Sequence, residues 1–401
     1  MLAQLTDSKL YYLVGEDSNL DSIENVFPRE VFDDLVIEFL DALSNSILND
    51  QKAREYPDVL TFGFWCRKSN LLAEKNVYKV GLQLGRGLVF HITPSNLPII
   101  FAYSMAAGLL SGNANVIKLP GKEYQQVEYM CRLLNEILKI DRYNRLRLFI
   151  TCIRYESVET EITKYLSKVC NVRIIWGSDK SISDIRAFNI KSKASELVFP
   201  DRYSLCVIDS DQWLACGDKK RQARGFYTDT YLNDQNACSS AQMILWLGDE
   251  VQKAREDFWF YIAQEVKDEY FLDGFQSLLK LEHFYRMVEK FPDLKLDSED
   301  NYIVRVWAPS LTEDLLNNRP GGGFFIESSA KDLMALVPLL GKGCQTISYF
   351  GLNRDVFSAF LRHVRPFGVD RIVPIGKALD FSLTWDGHDL IRTLSRTVNI
   401  S

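Results

Sequence analysis

Ten residues, Tyr231 to Ser240 (Tyr-Leu-Asn-Asp-Gln-Asn-Ala-Cys-Ser-Ser), set one thiol, Cys238, in a polar loop of small residues directly before the apolar run Met243-Ile-Leu-Trp-Leu247. Thiolate is the reactive form of cysteine, and a loop rich in amide and hydroxyl donors can hold it and stabilise charge on whatever it attacks. A structural cysteine normally sits inside an apolar element. On this segment alone, two readings stay open: a nucleophile and an incidental thiol.

A second segment with chemical content runs from Gly87 to Pro120. Leu88 to Ile92 reads as a short buried strand, and Thr93-Pro94-Ser95-Asn96 as a loop whose last residue N-caps a helix. Pro98 falls in the first turn, where a missing N–H costs nothing. Ala102, Ala106, Ala107 and Gly108 give the helix a small-residue side suited to close packing or to a ligand. Gly112-Asn113 ends it before a strand from Asn115 to Leu119. Such a βαβ unit binds ligands beyond the carboxyl ends of its strands.

Together the two segments resemble the aldehyde dehydrogenase superfamily, and within it the acyl-CoA and long-chain acyl-protein thioester reductases of the bacterial bioluminescence fatty acid reductase type. The matching residues are Pro94-Ser95-Asn96-Leu97-Pro98, Ala107 through Gly112-Asn113, Val116-Ile117-Lys118 and Asp234-Gln235-Asn236-Ala237-Cys238. The narrower branch rests on Asp-Gln-Asn-Ala-Cys-Ser-Ser, Gln345-Thr346-Ile347, Gly368 to Gly376, and Trp385-Asp386-Gly387. The resemblance implies an α/β, aldehyde-dehydrogenase-like fold: two Rossmann-like parallel-sheet domains with the active site in the cleft between them.

It also implies a reaction, the NADPH-dependent reduction of an acyl-CoA or acyl-protein thioester to the aldehyde through a cysteine acyl-enzyme. Cys238 is then the nucleophile, and the Asn96 side chain with the Cys238 N–H donates to the oxyanion. Lys118 matches the lysine that binds the adenosine ribose, and Thr93, Pro94 and Ser95 join the cofactor set. Where NAD-preferring relatives often place a carboxylate, this chain has Gly121 and Lys122, which leaves room for a 2′-phosphate; NADH remains admissible. Glu327, after Gly321-Gly322-Gly323, is matched to a glutamate that meets the nicotinamide ribose. Gly177-Ser178 opens a short helix whose first N–H groups could take a pyrophosphate or could form an ordinary turn. Hydrolytic aldehyde dehydrogenases carry a glutamate base in Glu-Leu-Gly-Gly-Lys; here the region reads Ser195-Glu196-Leu-Val-Phe-Pro200, without the glycines and one residue out of register. Losing that base suits a reductase, since water attack would waste the thioester. An aldehyde dehydrogenase making acid, and a cysteine acyltransferase or acyl-binding subunit without nicotinamide chemistry, are the competing readings.

The elements that must carry these residues follow from the pattern. A chain of 401 residues is long for one core. Residues 1–210 read as the cofactor domain, with 1–80 a weakly matched extension. Residues 211–370 hold the catalytic cysteine, and 371–401 form a C-terminal return segment that could serve oligomerisation. Helices are expected over 123–138 and 158–169, with strands over 147–153, 171–176 and 203–208, the last closing the cofactor domain, and a crossing helix over 211–225. The helix over 255–271 is rich in aromatics, which suits core or interface, or the wall of an acyl tunnel. Lys219-Lys220-Arg221 with Arg224 reads as a solvated face, or as a landing site for coenzyme A phosphates or an acidic carrier. His91 and His388 read as structural histidines rather than proton donors.

Composition excludes several classes. Residues 1–10 lack a leader pattern, and no apolar run is long enough to span a bilayer. Eight scattered cysteines without a C-x-x-C pair, and four histidines without ligand spacing, argue for reduced thiols in a cytoplasm and against a metal site. A net charge of −6 gives no case for nucleic acid. The implied partners are acyl-CoA or an acylated carrier protein, with a homo-oligomer or a complex with an acyl-activating or acyl-transferring protein.

Overall fold

The computed structural model describes residues 10–16, 20, 22–78, 81–298, 300–317 and 319–400; the expected leader-free start at 1–9 lies outside the described residues. The chain divides into two compact units, 1–200 with 381–401, and 201–380. Both are α/β with mainly parallel sheets.

The first unit is built on strands β1 (Tyr11–Val14), β2 (Leu82–Gly85), β3 (Leu88–Ile92), β4 (Ala114–Lys118), β5 (Ile150–Arg154), β6 (Val172–Gly177) and β7 (Ser195–Pro200). Six of them form one sheet in the order β1-β5-β4-β3-β6-β7, parallel except for β1, while β2 pairs instead with the strand Ser395–Val398. From β3 the chain steps to β4 and β5 on one side and then to β6 and β7 on the other. The strand order therefore reverses at β3, and the crevice beyond β3 and β6 is the ligand position of a doubly wound sheet.

Every residue of the helix Ile100–Leu110 is buried, as its unbroken apolar run requires. Its small-residue side serves packing: a Cβ on Gly108 would collide with Asn115 Oδ1 on β4. The expected strand over 147–153 begins later, at Ile150, because 3₁₀ turns occupy Asp141–Phe149.

The second unit carries strands β8 (Tyr203–Asp209), β9 (Ala241–Leu247), β10 (Lys295–Leu296), β11 (Val304–Trp307), β12 (Phe324–Ser329), β13 (Cys344–Phe350) and β14 (Arg371–Pro374), in the order β10-β11-β12-β9-β8-β13-β14. Here the expected boundaries shift. Tyr203–Ile208 belongs to this sheet, pairing with β9 and β13, so the division falls at 200/201 rather than at 210. The return segment is also shorter: 371–380 stays with the second unit, and 381–401 completes the first. The expected crossing helix is two, Ser210–Ala215 and Lys219–Thr230, since Gly217 interrupts the pattern and Asp218 caps the second through Arg221 N–H.

Buried aromatics of the helix Val251–Glu269, Phe258 and Trp259, pack with Trp213, Phe226, Trp246 and Phe325. Those two are core, whereas Phe260 and Phe271 of the same aromatic set are exposed. Among the described residues no helix is long and apolar enough to cross a membrane.

Candidate active site

The loop that carries Cys238 is a strained turn held by one side chain. After the helix Lys219–Thr230 and a single turn at Tyr231–Asn233, Asp234 and Gln235 both adopt left-handed backbone, with φ of 50° and 60°. Each such residue costs on the order of 1 kcal/mol or more. Gln235 supplies the offset. Its buried amide donates to the carbonyls of Ala241 (2.8 Å) and Phe324 (3.0 Å) and accepts from the N–H groups of Gly323 (3.1 Å) and Phe324 (3.2 Å). The glycines opposite are part of the same joint: Gly322 N–H donates to the Asp234 carbonyl at 2.9 Å, and a Cβ on Gly323 would strike the Tyr302 carbonyl. The sequence motif thus has two jobs, Gln235 fixing the turn and Cys238 standing at its open side.

Cys238 is half-buried. Six of the other seven cysteines are buried, and none of the eight is in a disulfide. Burial pushes the Cys170, Cys206 and Cys344 thiols up to about 12, and raises Cys66 as well, which removes them as nucleophiles near neutral pH. The Cys238 thiol donates to Asp201 Oδ1 at 3.8 Å, while Asp201 Oδ2 accepts from Arg319 at 2.8 Å. The Cys238 carbonyl accepts from Ser204 Oγ at 2.6 Å, and that same oxygen accepts from Thr346 N–H at 3.1 Å. Asp201, Ser204 and Arg319 were not singled out from sequence; they reach Cys238 only through folding.

In the first unit, residues expected to hold a dinucleotide gather at the carboxyl ends of three neighbouring strands. Thr93 follows β3 and is tied to β4, its Oγ1 donating to the Lys118 carbonyl at 2.8 Å. Pro94 is half-buried, Ser95 is exposed, and the Ser95 carbonyl accepts from the Tyr124 hydroxyl. Lys118 ends β4 with its ammonium 5.0 Å from the Tyr155 ring centre; burial pulls its pKa below the ordinary lysine value, and Glu156 opposes that shift. Gly121 lies in an exposed bend, with Glu156 3.9 Å from where a Cβ would stand. Gly177 ends β6, and Ser178 caps the helix Asp179–Arg186 by accepting from Ser181 N–H. Together these residues offer one cation, several backbone donors and open backbone at the switch point, a set that fits a dinucleotide.

Asn96 departs from its expected local role. The helix starts only at Ile100, with Ile99 at the capping position and no side-chain cap, because Pro98 keeps the preceding residue out of helical backbone. Asn96 is therefore an exposed bend residue, not a helix cap.

Glu327 is a correction. On β12 it is fully buried, accepting from Trp246 Nε1 and Trp259 Nε1 at 2.9 Å each and from Arg255 at 2.7 Å. A carboxylate so enclosed cannot meet a ribose; it neutralises a buried arginine. Glu196 is likewise committed. Partial burial would raise its pKa, but Arg186, at 2.6 Å, and Arg173 outweigh that and hold it below the usual glutamate value. A carboxylate clamped by two arginines is a poor base.

Both histidines fit the structural reading. His91 is buried between Ser104 Oγ (2.8 Å) and Asn115 Oδ1 (2.9 Å), and burial pulls its pKa down to about 4. His388 is exposed and lies edge-on to the Phe199 ring. Of the basic run, Lys219 pairs with Asp257 and Arg224 with Glu269 and Glu265, while Lys220 and Arg221 are exposed. No cluster of His, Cys, Asp or Glu among the described residues could hold a metal ion.

Residues 72–267 match the acyl-CoA reductase (LuxC) family. The long-chain acyl-protein thioester reductase 2 of Photobacterium leiognathi is 25% identical over 184 residues, 46% of this chain and 36% of that protein. The long-chain acyl-protein thioester reductase of Vibrio harveyi is 23% identical over 328 residues, 78% of this chain and 63% of that one. The chain thus spans less than two thirds of the length of either relative. Among solved structures, a lactaldehyde dehydrogenase superposes with a TM-score of 0.66 at 12% identity, covering 95% of this chain and 88% of that chain. A Thermus 1-pyrroline-5-carboxylate dehydrogenase with bound NAD gives 0.64 at 12% identity, covering 94% and 82%. At such identities the likeness is one of fold: the aldehyde dehydrogenase fold.

Proposed function

We propose that the chain, whose residues 72–267 match the acyl-CoA reductase (LuxC) family, reduces a long-chain acyl thioester to the aldehyde through an acyl-enzyme on Cys238, using a nicotinamide cofactor. The observation that carries this reading is the half-buried thiol on a turn braced by Gln235, beside a set of deeply buried and inert cysteines. Cys238 attacks the thioester carbonyl and expels the carrier thiol. The oxyanion formed there takes hydrogen bonds from the Cys238 N–H and the Asn96 amide, one such donor being worth about 3 to 4 kcal/mol of barrier.

Lys118, Thr93, Pro94, Ser95, Gly121, Gly177 and Ser178 would hold the cofactor: Lys118 at the adenosine ribose and the first N–H groups of Asp179–Arg186 at the pyrophosphate. When bound, the nicotinamide supplies the hydride that converts the acyl-enzyme to a thiohemiacetal. NADPH is the assigned cofactor, with NADH accommodated because Glu156 lies beside Gly121. With Glu196 clamped by Arg173 and Arg186, the acyl-enzyme has no activating base from that position and persists until it is reduced. The proposed substrates are acyl-CoA and acylated carrier protein. A homo-oligomer, or a complex with a protein that activates or transfers the acyl group, completes the assignment. Eight cysteines outside any disulfide suit a reducing compartment, the cytoplasm.

Incubation with a labelled long-chain acyl-CoA should leave label on Cys238, stable without cofactor, and NADPH should then release aldehyde in a single turnover. Cys238→Ala should lose both steps. Free fatty acid as the main product would place the chain with the hydrolytic enzymes, and label on Cys216 would move the nucleophile.

A further inference from the structure

The segment that opens the second unit grips the Cys238 turn twice. Ser204 Oγ holds the Cys238 carbonyl at 2.6 Å, and three residues earlier Asp201 Oδ1 accepts the thiol hydrogen at 3.8 Å. The other carboxylate oxygen accepts from Arg319 at 2.8 Å, and Arg319 lies against the Tyr203 ring, so the carboxylate is tethered rather than free to turn. An ordinary thiol with a pKa of about 8.5 is only a few per cent thiolate at neutral pH. Attack on a thioester therefore gains from a base in contact with sulfur, and Glu196 is locked in its own ion pairs.

We propose that Asp201 is the proton acceptor of Cys238, with Arg319 holding its carboxylate aimed at the sulfur; the proposal rests on the acyl-enzyme reading above. In the step, the Cys238 S–H proton passes to Asp201 Oδ1 as Sγ forms its bond to the thioester carbonyl carbon. The bond from that carbon to the carrier sulfur then breaks, and the departing thiolate takes the proton back from Asp201. No electron is gained or lost, and Asp201 ends ionised as it began. Other charged or titratable groups nearby are already paired: Arg202 with Asp370, Glu313 with the Tyr203 hydroxyl, and Asp234 with the Tyr270 hydroxyl. The pair is partly exposed, which lets a thioester approach and lets substitutions be made without opening a core.

The test is the pH profile of single-turnover acylation with labelled hexadecanoyl-CoA, read as label on Cys238 between pH 5 and 9. The wild-type rate should stay level from pH 9 down to pH 5. In Asp201→Asn an acidic limb should appear in the thiol range, near about 8 to 9, with a loss of tenfold or more at pH 6.5 that fades by pH 9. Asp201→Glu should restore the level profile. Arg319→Gln should slow acylation, since the carboxylate loses the 2.8 Å contact that aims it at the sulfur. A loss in Asp201→Asn that is equal at every pH, or no loss, overturns the proposal while leaving the acyl-enzyme standing. Wild-type protein that carries no label on Cys238 overturns both.

Discussion

The Glu156 carboxylate stands 3.9 Å from the point a Cβ on Gly121 would occupy, and its charge reaches Lys118. It arrives from the end of β5, so a reader scanning downstream of Lys118 for an acidic residue passes over it. A negative charge there opposes a 2′-phosphate and favours ribose hydroxyls. Glu156→Gln should therefore tighten NADPH relative to NADH by about three- to tenfold, the scale of one exposed charge interaction; nicotinamide fluorescence titration gives both constants, and an unchanged ratio would remove Glu156 from the site. Residue types alone left Cys238 open between a nucleophile and an incidental thiol; the resemblance carried by the two segments assigned it, and the fold adds that it is half-buried on a braced turn. They failed at Glu327, although the signal was present: Phe325 and Glu327 are two apart on β12 and so share a face, and that face is the aromatic core. Asp201 and Arg319 left no trace, being 118 residues apart and joined only by the fold.

At the level of elements, the Cys238 turn behaves as a rigid insert whose geometry is set by Gln235 and the glycines facing it. Gln235→Ala would remove a partner from four buried backbone groups, of which the Phe324 N–H keeps the Gly321 carbonyl at 3.3 Å; at about 1 kcal/mol for each of the other three, unfolding free energy should drop by about 3 kcal/mol in urea titrations. A loss under about 1 kcal/mol would mean that the backbone alone holds the turn. Strand β3 was legible to its last residue because buried parallel strands read as continuous apolar runs between turn formers. Element ends were less so. The break at Gly217 and the 3₁₀ stretch before β5 depend on caps and packing that no apolar period encodes, and the late start of the helix Ile100–Leu110 depends on what Pro98 forbids to its neighbour.

For the molecule as a whole, the exit from the second unit matters most. Asp229 is buried, and its carboxylate accepts from Gly376 N–H (2.6 Å) and Ala378 N–H (2.9 Å), fixing the chain just before it leaves for the first unit at 381. Burial pushes this carboxyl up to about 7 despite those donors. Its folded pKa lies above the unfolded value of about 3.9, so the folded state holds the proton more tightly. The stabilising contribution is complete below about pH 4 and is lost as pH rises through about 7. Stability should thus decline over that window, and Asp229→Asn should flatten the decline; urea midpoints at pH 5 and pH 8 measure it, and an equal slope in both proteins would exclude the group. Two-unit organisation was legible from length and alternation, whereas the exchange of 371–380 and 381–401 was not, since both read alike as loop and short strand. That last segment carries the strand paired with β2, and its carbonyls at Thr393 and Leu394 accept from Arg86 and Asn113. In order of synthesis, then, the 201–380 unit has all of its own sequence before 381–401 brings the strand that covers β2: the first unit closes only after the second has been made, and until then its β2 edge stands open.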